Sequence, residues 1–231
     1  IDGVRYPTHI SMEQCSSQQT ALYKSSIASR LVDDASSIGR LVDITGGFGV
    51  DFSYIARHFS QAVYVERQQS LCDAARHNFK LFNLSQAEII CGDGVDYIED
   101  MLPTDIIYID PARRDVNGDK VVAISDCTPD ILFLKDQLLE KSCYVLVKLS
   151  PMLDWHKAVD DLNHGCRCVK ELHIVSVDNE CKELLLVLTK NYTEDMRIYC
   201  VNNDDIFNYI PRQIPVSHSN VTDILHTSYL F

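Results

Sequence analysis

Two spacings of apolar residues divide the chain. Tyr23, Ile27 and Leu31 recur at i, i+4 and i+8. That stripe predicts a helix starting near Ser16, where Ser16-Ser17-Gln18-Gln19 offers a capping box. Residues 1–12 read as an irregular lead-in. From Arg40 the period changes. Apolar runs at 41–44, 62–65, 87–91, 105–109 and 143–147 predict buried parallel strands. Helix-like stretches lie between them, the clearest at 68–84, with Leu71, Ala75, Asn78, Phe79 and Phe82 on one side. Two longer β runs, 169–177 and 182–189, flank the turn-like Asp178-Asn179-Glu180 and predict an antiparallel hairpin.

Strand–helix alternation of this kind predicts an α/β fold: a Rossmann-like, doubly wound, mostly parallel seven-stranded sheet closed by the hairpin. Three segments follow. Residues 1–36 form an N-terminal helical extension and 37–190 the α/β domain. After Lys190 the pattern fades into a polar stretch with Pro211 and Pro215, so 191–231 reads as a linker or the start of a small accessory domain.

Composition changes the picture in three places. Hydrophobic residues are 46% and charged residues 23% of 231, a soluble globular profile. No apolar run approaches the roughly 20 residues that span a bilayer, so no membrane association is expected. Nine cysteines, an odd number without C-x-x-C spacing, read as reduced thiols in a cytoplasmic protein and assign no metal. Net charge is −12, which excludes a globally basic nucleic-acid grip. Binding to RNA would need a local cluster or a segment elsewhere.

The first strand ends in Val42-Asp43-Ile44 and runs into Thr45-Gly46-Gly47-Phe48-Gly49. A ligand of an open α/β sheet lies at the carboxyl ends of its strands, where glycines let backbone approach it. Gly47-Phe48-Gly49 supplies two glycines of a dinucleotide fingerprint, but Phe52 stands at the third place. A phosphate loop would need a lysine, and this loop has none. Acids instead stand before the glycines (Asp43) and after the second strand (Glu66), where a carboxylate accepts ribose hydroxyls.

With Gly92-Asp93-Gly94 after the third strand, these motifs resemble the class I S-adenosylmethionine-dependent methyltransferases over roughly residues 14–190. The resemblance implies S-adenosyl-L-methionine as cofactor. It implies that Asp43 and the backbone of Thr45, Gly46, Gly47, Phe48 and Gly49 hold the methionine part. It further implies that Glu66 holds the ribose, and Asp93 with Gly94 the adenine. The plainer reading of Asp93-Gly94 is a turn.

The fourth strand runs into Asp110-Pro111-Ala112-Arg113-Arg114. This is the family's acceptor motif, and Asp-Pro there resembles enzymes that methylate exocyclic amines of nucleobases. An aromatic ring normally follows, and here none does. Asp110 would orient the acceptor, Pro111 would shape its loop, and Arg113 would anchor a phosphate. Together with Lys148-Leu149-Ser150-Pro151 and Glu13-Gln14-Cys15-Ser16-Ser17, the motif resembles bacterial methyltransferases with a THUMP-like or ferredoxin-like C-terminal domain. RNA is therefore the expected partner, through its base amines.

A second reading takes Lys24, Asp110, Lys148 and Glu183 together. Their order resembles the tetrad of RNA ribose 2′-O-methyltransferases, where a lysine of depressed pKa activates a hydroxyl. The blander alternative has Lys24 and Glu183 solvated and Lys148 paired with Asp110. A small-molecule methyltransferase and a non-catalytic adenosine-ligand module that recruits a partner complete the alternatives. Trp155, His156 and the incomplete set His164, Cys166 and Cys168 carry no assignment.

Overall fold

A computed structural model describes residues 2–6, 15–33, 39–113, 123–190 and 192–211. Helix α1 (Gln18–Asp33) leads into β1 (Arg40–Asp43), α2 (Val50–Ile55), β2 (Gln61–Glu66) and α3 (Gln69–Leu81). Then come β3 (Ala87–Cys91), α4 (Gly94–Asp100) and β4 (Thr104–Ile109). The two-residue strands β5 (Ala112–Arg113) and β6 (Cys127–Thr128) pair as a short antiparallel ribbon. The chain continues through α5 (Ile131–Lys141), β7 (Ser142–Leu149), α6 (Trp155–Asn163), β8 (Val169–Val177) and β9 (Glu180–Leu188). Strands β10 (Arg197–Asn202) and β11 (Asp205–Tyr209) follow.

The main sheet runs β11-β10-β8-β9-β7-β4-β1-β2-β3. Strands β1, β2, β3, β4 and β7 pair in parallel, and β9 enters antiparallel between β7 and β8. The order reverses at β1, which has β2 on one side and β4 on the other. That switch point opens a crevice at the carboxyl ends. The strands at its centre are buried on both faces: every residue of β1 and β4 is buried. A parallel strand covered by helices on both sides must be apolar throughout, which is why Ile106-Ile107-Tyr108-Ile109 shows no alternation.

One face packs Ile98 of α4, Leu134 and Leu138 of α5 and Leu162 of α6 against the sheet. The other packs Ile27 and Leu31 of α1, Phe52 of α2 and Phe79 of α3. An aspartate precedes and caps each of α4, α5 and α6, accepting backbone N–H groups of the first turn. Helix α1 differs from the capping box expected at Ser16. Ser17 receives the Thr20 N–H at 3.2 Å, because the Ser16 hydroxyl is turned away and donates to Asp51 at 2.8 Å.

The hairpin forms as expected, and its turn residues Asp178 and Asn179 both have positive φ (52° and 65°), a conformation these residue types tolerate. Among the described residues the sheet has nine strands, not seven. Within the stretch read as a linker or accessory domain, β10 adds in parallel to β8, and β11 pairs with β10. Its polar composition concealed this, since all five residues of the edge strand β11 are exposed.

One tie crosses four elements. The Lys24 ammonium of α1 is fully buried and lies 2.5 and 2.7 Å from the two oxygens of Glu183 on β9 and 3.2 Å from Asp51 on α2. Asp51 in turn accepts the Tyr108 hydroxyl of β4 at 2.7 Å. Lys24→Met would leave two buried carboxylates without their cation. The expected loss is about 3–5 kcal/mol in urea unfolding, and adding Glu183→Leu should restore part of it. A Lys24→Met loss below 1 kcal/mol would contradict this (roughly the worth of an exposed pair).

Candidate active site

The crevice at the switch point is a cleft of about 1420 Å³. A pocket for one small ligand is ~300–1,000 Å³, so there is room for a cofactor and an acceptor together. Its walls include Asp43 to Asp51, Glu66, Asp93, Gly94, Asp110, Pro111 and Lys148. The acids, glycines and Lys148 singled out from the sequence therefore meet in one place, whereas Lys24 and Glu183 do not line the cleft. The side chain of Arg113, and Arg114, Glu13 and Gln14, lie outside the described residues.

The glycine loop is held by backbone and ring contacts. Gly46 N–H donates to Val65 at 2.9 Å, and Gly47 N–H donates to Glu66 Oε2 at 2.9 Å. The Tyr64 hydroxyl donates to the Gly47 carbonyl. Gly49 has φ 78°, and a Cβ there would stand 2.9 Å from the Phe79 ring. Gly94 admits no side chain for a different reason: a Cβ would lie 2.0 Å from the Ile44 carbonyl oxygen. The turns after β1 and β3 thus touch. This bare backbone cradle, flanked by the Glu66 and Asp93 carboxylates, fits an adenosine ligand without phosphates.

Each acid has a distinct state. Asp43 is 2% exposed, and its Oδ1 accepts both the backbone N–H of Thr45 (2.9 Å) and its hydroxyl (3.3 Å). Burial pushes its carboxyl up to about 8, against the Thr45 hydrogen bond and with help from Asp51 and Asp110. Glu66 accepts from Gly47 and, at 2.8 Å, from the Gln68 N–H, which leaves lone pairs facing the cleft. Asp93 gives one oxygen to Val95 N–H at 2.8 Å as the cap of α4, and the other lies 3.6 Å from Arg67. It is therefore a helix cap that also lines the cleft.

Asp110 is fixed through its backbone, whose N–H donates to Thr45 Oγ1 at 2.7 Å. Thr45 thereby joins the loops after β1 and β4. The Asp110 side chain remains 39% exposed and accepts from Lys148 Nζ at 2.7 Å. Burial raises the Asp110 carboxyl, with Lys148 opposing. Lys148 goes the other way. Desolvation would lower it, but Asp110, Asp51 and Glu183 outweigh that and hold the ammonium charged. Lys24 and Glu183 are not solvated: they are 0% and 2% exposed and paired beneath the cleft. The acids and lysines of the tetrad are close neighbours, but as two ion pairs.

Asp51, just after the glycine motif, Ser16, expected as a helix cap, and Tyr108 received no site role from the sequence, yet they knit the floor together. Their signal was weak, because a tyrosine in an apolar strand and an acid in a first helical turn are ordinary. Among the described residues, no group of three or more His, Cys, Asp or Glu could hold a metal ion, and no helix is long and apolar enough to cross a membrane.

The Asp43 proton has a consequence for stability. The folded protein holds it up to about pH 8, whereas the unfolded chain releases it near 3.8. The native state binds more protons across that window, so ligand-free stability falls as pH rises, by ~1.4 kcal/mol per unit for this one proton. The raised carboxyls of Asp110 and Glu183 act in the same direction. Urea unfolding between about pH 5 and pH 7 should show this decline, and Asp43→Asn should flatten it. A wild-type stability that rises over the same range would contradict the assignment.

Known proteins place this geometry. Residues 4–121, just over half of the chain, match the model of the family described as Protein-L-isoaspartate(D-aspartate) O-methyltransferase. A crystal structure from Porphyromonas gingivalis W83, provisionally described as a methyltransferase, is 33% identical with a TM-score of 0.75. The match covers 91% of this chain and 51% of that one, so the chain spans about half the length of that relative. A Listeria monocytogenes structure provisionally described as a class I S-adenosylmethionine-dependent methyltransferase is 9% identical. Its TM-score is 0.61, with 84% of this chain and 68% of that one covered. An rRNA methylase from Streptococcus thermophilus is 14% identical, TM-score 0.54, covering 77% and 99%. These last two share the fold alone. Comparison with curated protein sequences gave no match. The strand order, the glycine cradle and the family match together make the chain a member of the Protein-L-isoaspartate(D-aspartate) O-methyltransferase family, within the class I S-adenosylmethionine-dependent methyltransferases.

Proposed function

We propose that this chain is the catalytic domain of a methyltransferase that modifies an amine nitrogen, with an exocyclic base amine of RNA as the favoured acceptor. Bound S-adenosylmethionine supplies an electrophilic methyl group on a sulfonium, so the protein's task is largely positioning and desolvation. In this reading Asp43 and the glycine backbone of Thr45 to Gly49 shape the methionine end. Glu66 accepts the ribose hydroxyls, and Asp93 with Gly94 borders the adenine.

The observation that carries the acceptor assignment is Asp110. It is an acceptor-only carboxylate held by its own backbone at the end of β4, with its side chain open to the cleft. Such a group takes hydrogen bonds from an amine N–H and compensates charge as the nitrogen becomes more positive. Pro111, buried beside it, keeps that loop rigid. The other acceptor classes fit less well. A carboxylate acceptor, as the family description names, would bring one more anion to a cleft where Asp110 already takes up the Lys148 ammonium. A ribose hydroxyl would need a neutral lysine, and Lys148 is held protonated by its acids.

The acidity of the chain is why this reading puts RNA contacts elsewhere. Among the described residues, carboxylates outnumber the cations Arg67, Lys148 and Lys182 around the cleft, so a base would enter while its phosphates stay outside. An accessory RNA-binding domain, of the THUMP-like kind, would supply that grip. The P. gingivalis relative, about twice the length, has room for one.

The test has two parts. Calorimetry should show S-adenosylmethionine binding, and no binding at millimolar concentration would sink every enzymatic reading. Mass spectrometry of RNA nucleosides from cells lacking the protein should show loss of an N-methylated base. Asp110→Asn should lower turnover by about 10²–10³, the usual scale for losing one preorganised polar group, with cofactor affinity kept. Loss of a 2′-O-methyl nucleoside, together with inactivity of Lys148→Met, would favour ribose chemistry instead.

A further inference from the structure

No aromatic ring follows Asp110-Pro111, where Ala112 and Arg113 stand instead. The fold brings a ring to the same cleft from another element. Strands β5 and β6 pair Ala112 with Thr128, so the chain after β6 starts beside the chain after Asp110. From Thr128, Pro129 and Asp130 lead directly into α5, whose first turn carries Phe133. Phe133 lines the cleft that Asp110 also lines.

The neighbours of Phe133 set where it stands. Asp130 caps α5 and accepts the N–H groups of Leu132 at 3.0 Å and Phe133 at 3.2 Å. Ile131 and Leu134 are buried in the core and fix the rotation of the helix. Phe133 is thereby turned outward. At 83% it is the most exposed large apolar side chain among the described residues. A polar residue would serve an outward helical position equally well. A ring there has its face free for a ligand.

Single exposed apolar residues are ordinary on a surface, and two observations set this one apart. The other rings of the cleft wall are engaged. Phe48 stacks on Tyr6 with centroids 5.4 Å apart, and Tyr108 is 2% exposed and bonded to Asp51. Phe133 has no ring partner among the described residues. The wall that accompanies it is also apolar. Pro111 after β4, Pro129 after β6, and Pro151 and Leu153 after β7 line the cleft with it. Strands β4 and β7 are neighbours on one side of the switch point, whereas Glu66 and Asp93 follow β2 and β3 on the other. The acceptor side therefore combines one open carboxylate with apolar surface and a free ring.

We infer that Phe133 is the ring on which the acceptor base stacks, taking the part of the aromatic residue missing after Asp110-Pro111. This rests on the acceptor reading above and adds its specificity-determining residue. An uncharged heteroaromatic ring would be held at its face by Phe133 and at its amine edge by Asp110. Contact at face and edge fixes the nitrogen relative to the methyl group. An aliphatic amine, such as a lysine side chain, has no face to offer and would gain nothing from Phe133.

The test is methyl transfer by the full-length protein from S-adenosylmethionine to RNA taken from cells lacking it, read by nucleoside mass spectrometry. Phe133→Ala and Phe133→Leu should each lower kcat/KM for RNA by about 5- to 150-fold, the range for losing one base–aromatic stack. Phe133→Trp should stay within about threefold of wild type, because it keeps a face to stack on. Calorimetry should give all three variants the wild-type affinity for S-adenosylmethionine. Leucine keeps apolar bulk without a ring face, so a Phe133→Leu as active as Phe133→Trp overturns the inference. A fall in cofactor affinity that accounts for the lost turnover overturns it too. If the wild-type protein places no methyl group on a base, the acceptor reading fails and this inference with it. Wild-type base methylation with indifferent Phe133 variants overturns the inference alone.

Discussion

The cleft depends on a shortage of cations beneath it. Asp43, Asp51, Asp110 and Glu183 converge where β1, α2, β4 and β9 meet, and among the described residues only Lys24 and Lys148 stand among them. Taking carboxylates out of water is expensive, and pairing offsets the cost only where geometry is good. The protein resolves this unevenly. Asp110 and Glu183 each receive a lysine at 2.7 Å or closer. Asp43 keeps a proton instead. Asp51 shares Lys24 at 3.2 Å and accepts the hydroxyls of Ser16 and Tyr108. A site built this way is more stable with a cationic ligand than without one, which couples its electrostatics to the charge of a sulfonium cofactor.

The backbone that holds these groups was largely legible beforehand, and the reason is burial. Strands β1, β2, β4 and β7 sit between two helical layers, so their apolar runs are nearly continuous and their ends are marked by polar residues such as Asp43, Glu66 and Asp110. The turn at Asp178-Asn179 was legible because positive φ selects those residue types. Strands β10 and β11 were not. They add at the sheet's outer edge, where Ile206, Phe207 and Tyr209 are exposed and no buried face imposes alternation.

At the site, the residues whose chemistry is read one at a time line the cleft, and those that act through partners carry little local signal of their partners. Glu66 is recognisable because it ends β2, and Asp93 because it follows β3 between two glycines. From the sequence, Lys24 reads either as one of a tetrad or as a solvated helix lysine. Its burial comes from Glu183, 159 residues away, and no local pattern reports a contact of that span. Asp51 and Tyr108 have the same history: their hydrogen bond joins α2 to β4 across 57 residues. Thr45 was expected to serve as cofactor backbone, and its hydroxyl turns out to be the joint between the two loops.

The appended strands also bear on the cleft, through α1. One end of that helix carries Lys24 into the floor and follows directly on Ser16. Its other end is fixed by Arg30, whose guanidinium grips both oxygens of Glu171 on β8 at 2.9 and 2.6 Å. Burial would raise Glu171, but the hydrogen bonds from His173 and Arg30 prevail and bring it down to about 2, so the pair stays charged. His173 bridges Glu171 to the Tyr23 hydroxyl and stacks on Tyr199 of β10 at 4.4 Å. Gln19 reaches Asn203, in the turn between β10 and β11. Helix α1 is thus clamped along its length by β8, β9 and the β10–β11 hairpin. Burial of Ile27 and Leu31 holds the helix against the sheet, and these polar clamps fix where along it the helix sits. The placement of Ser16 and Lys24 under Asp51 therefore depends on strands that lie at the far side of the sheet from the glycine loop.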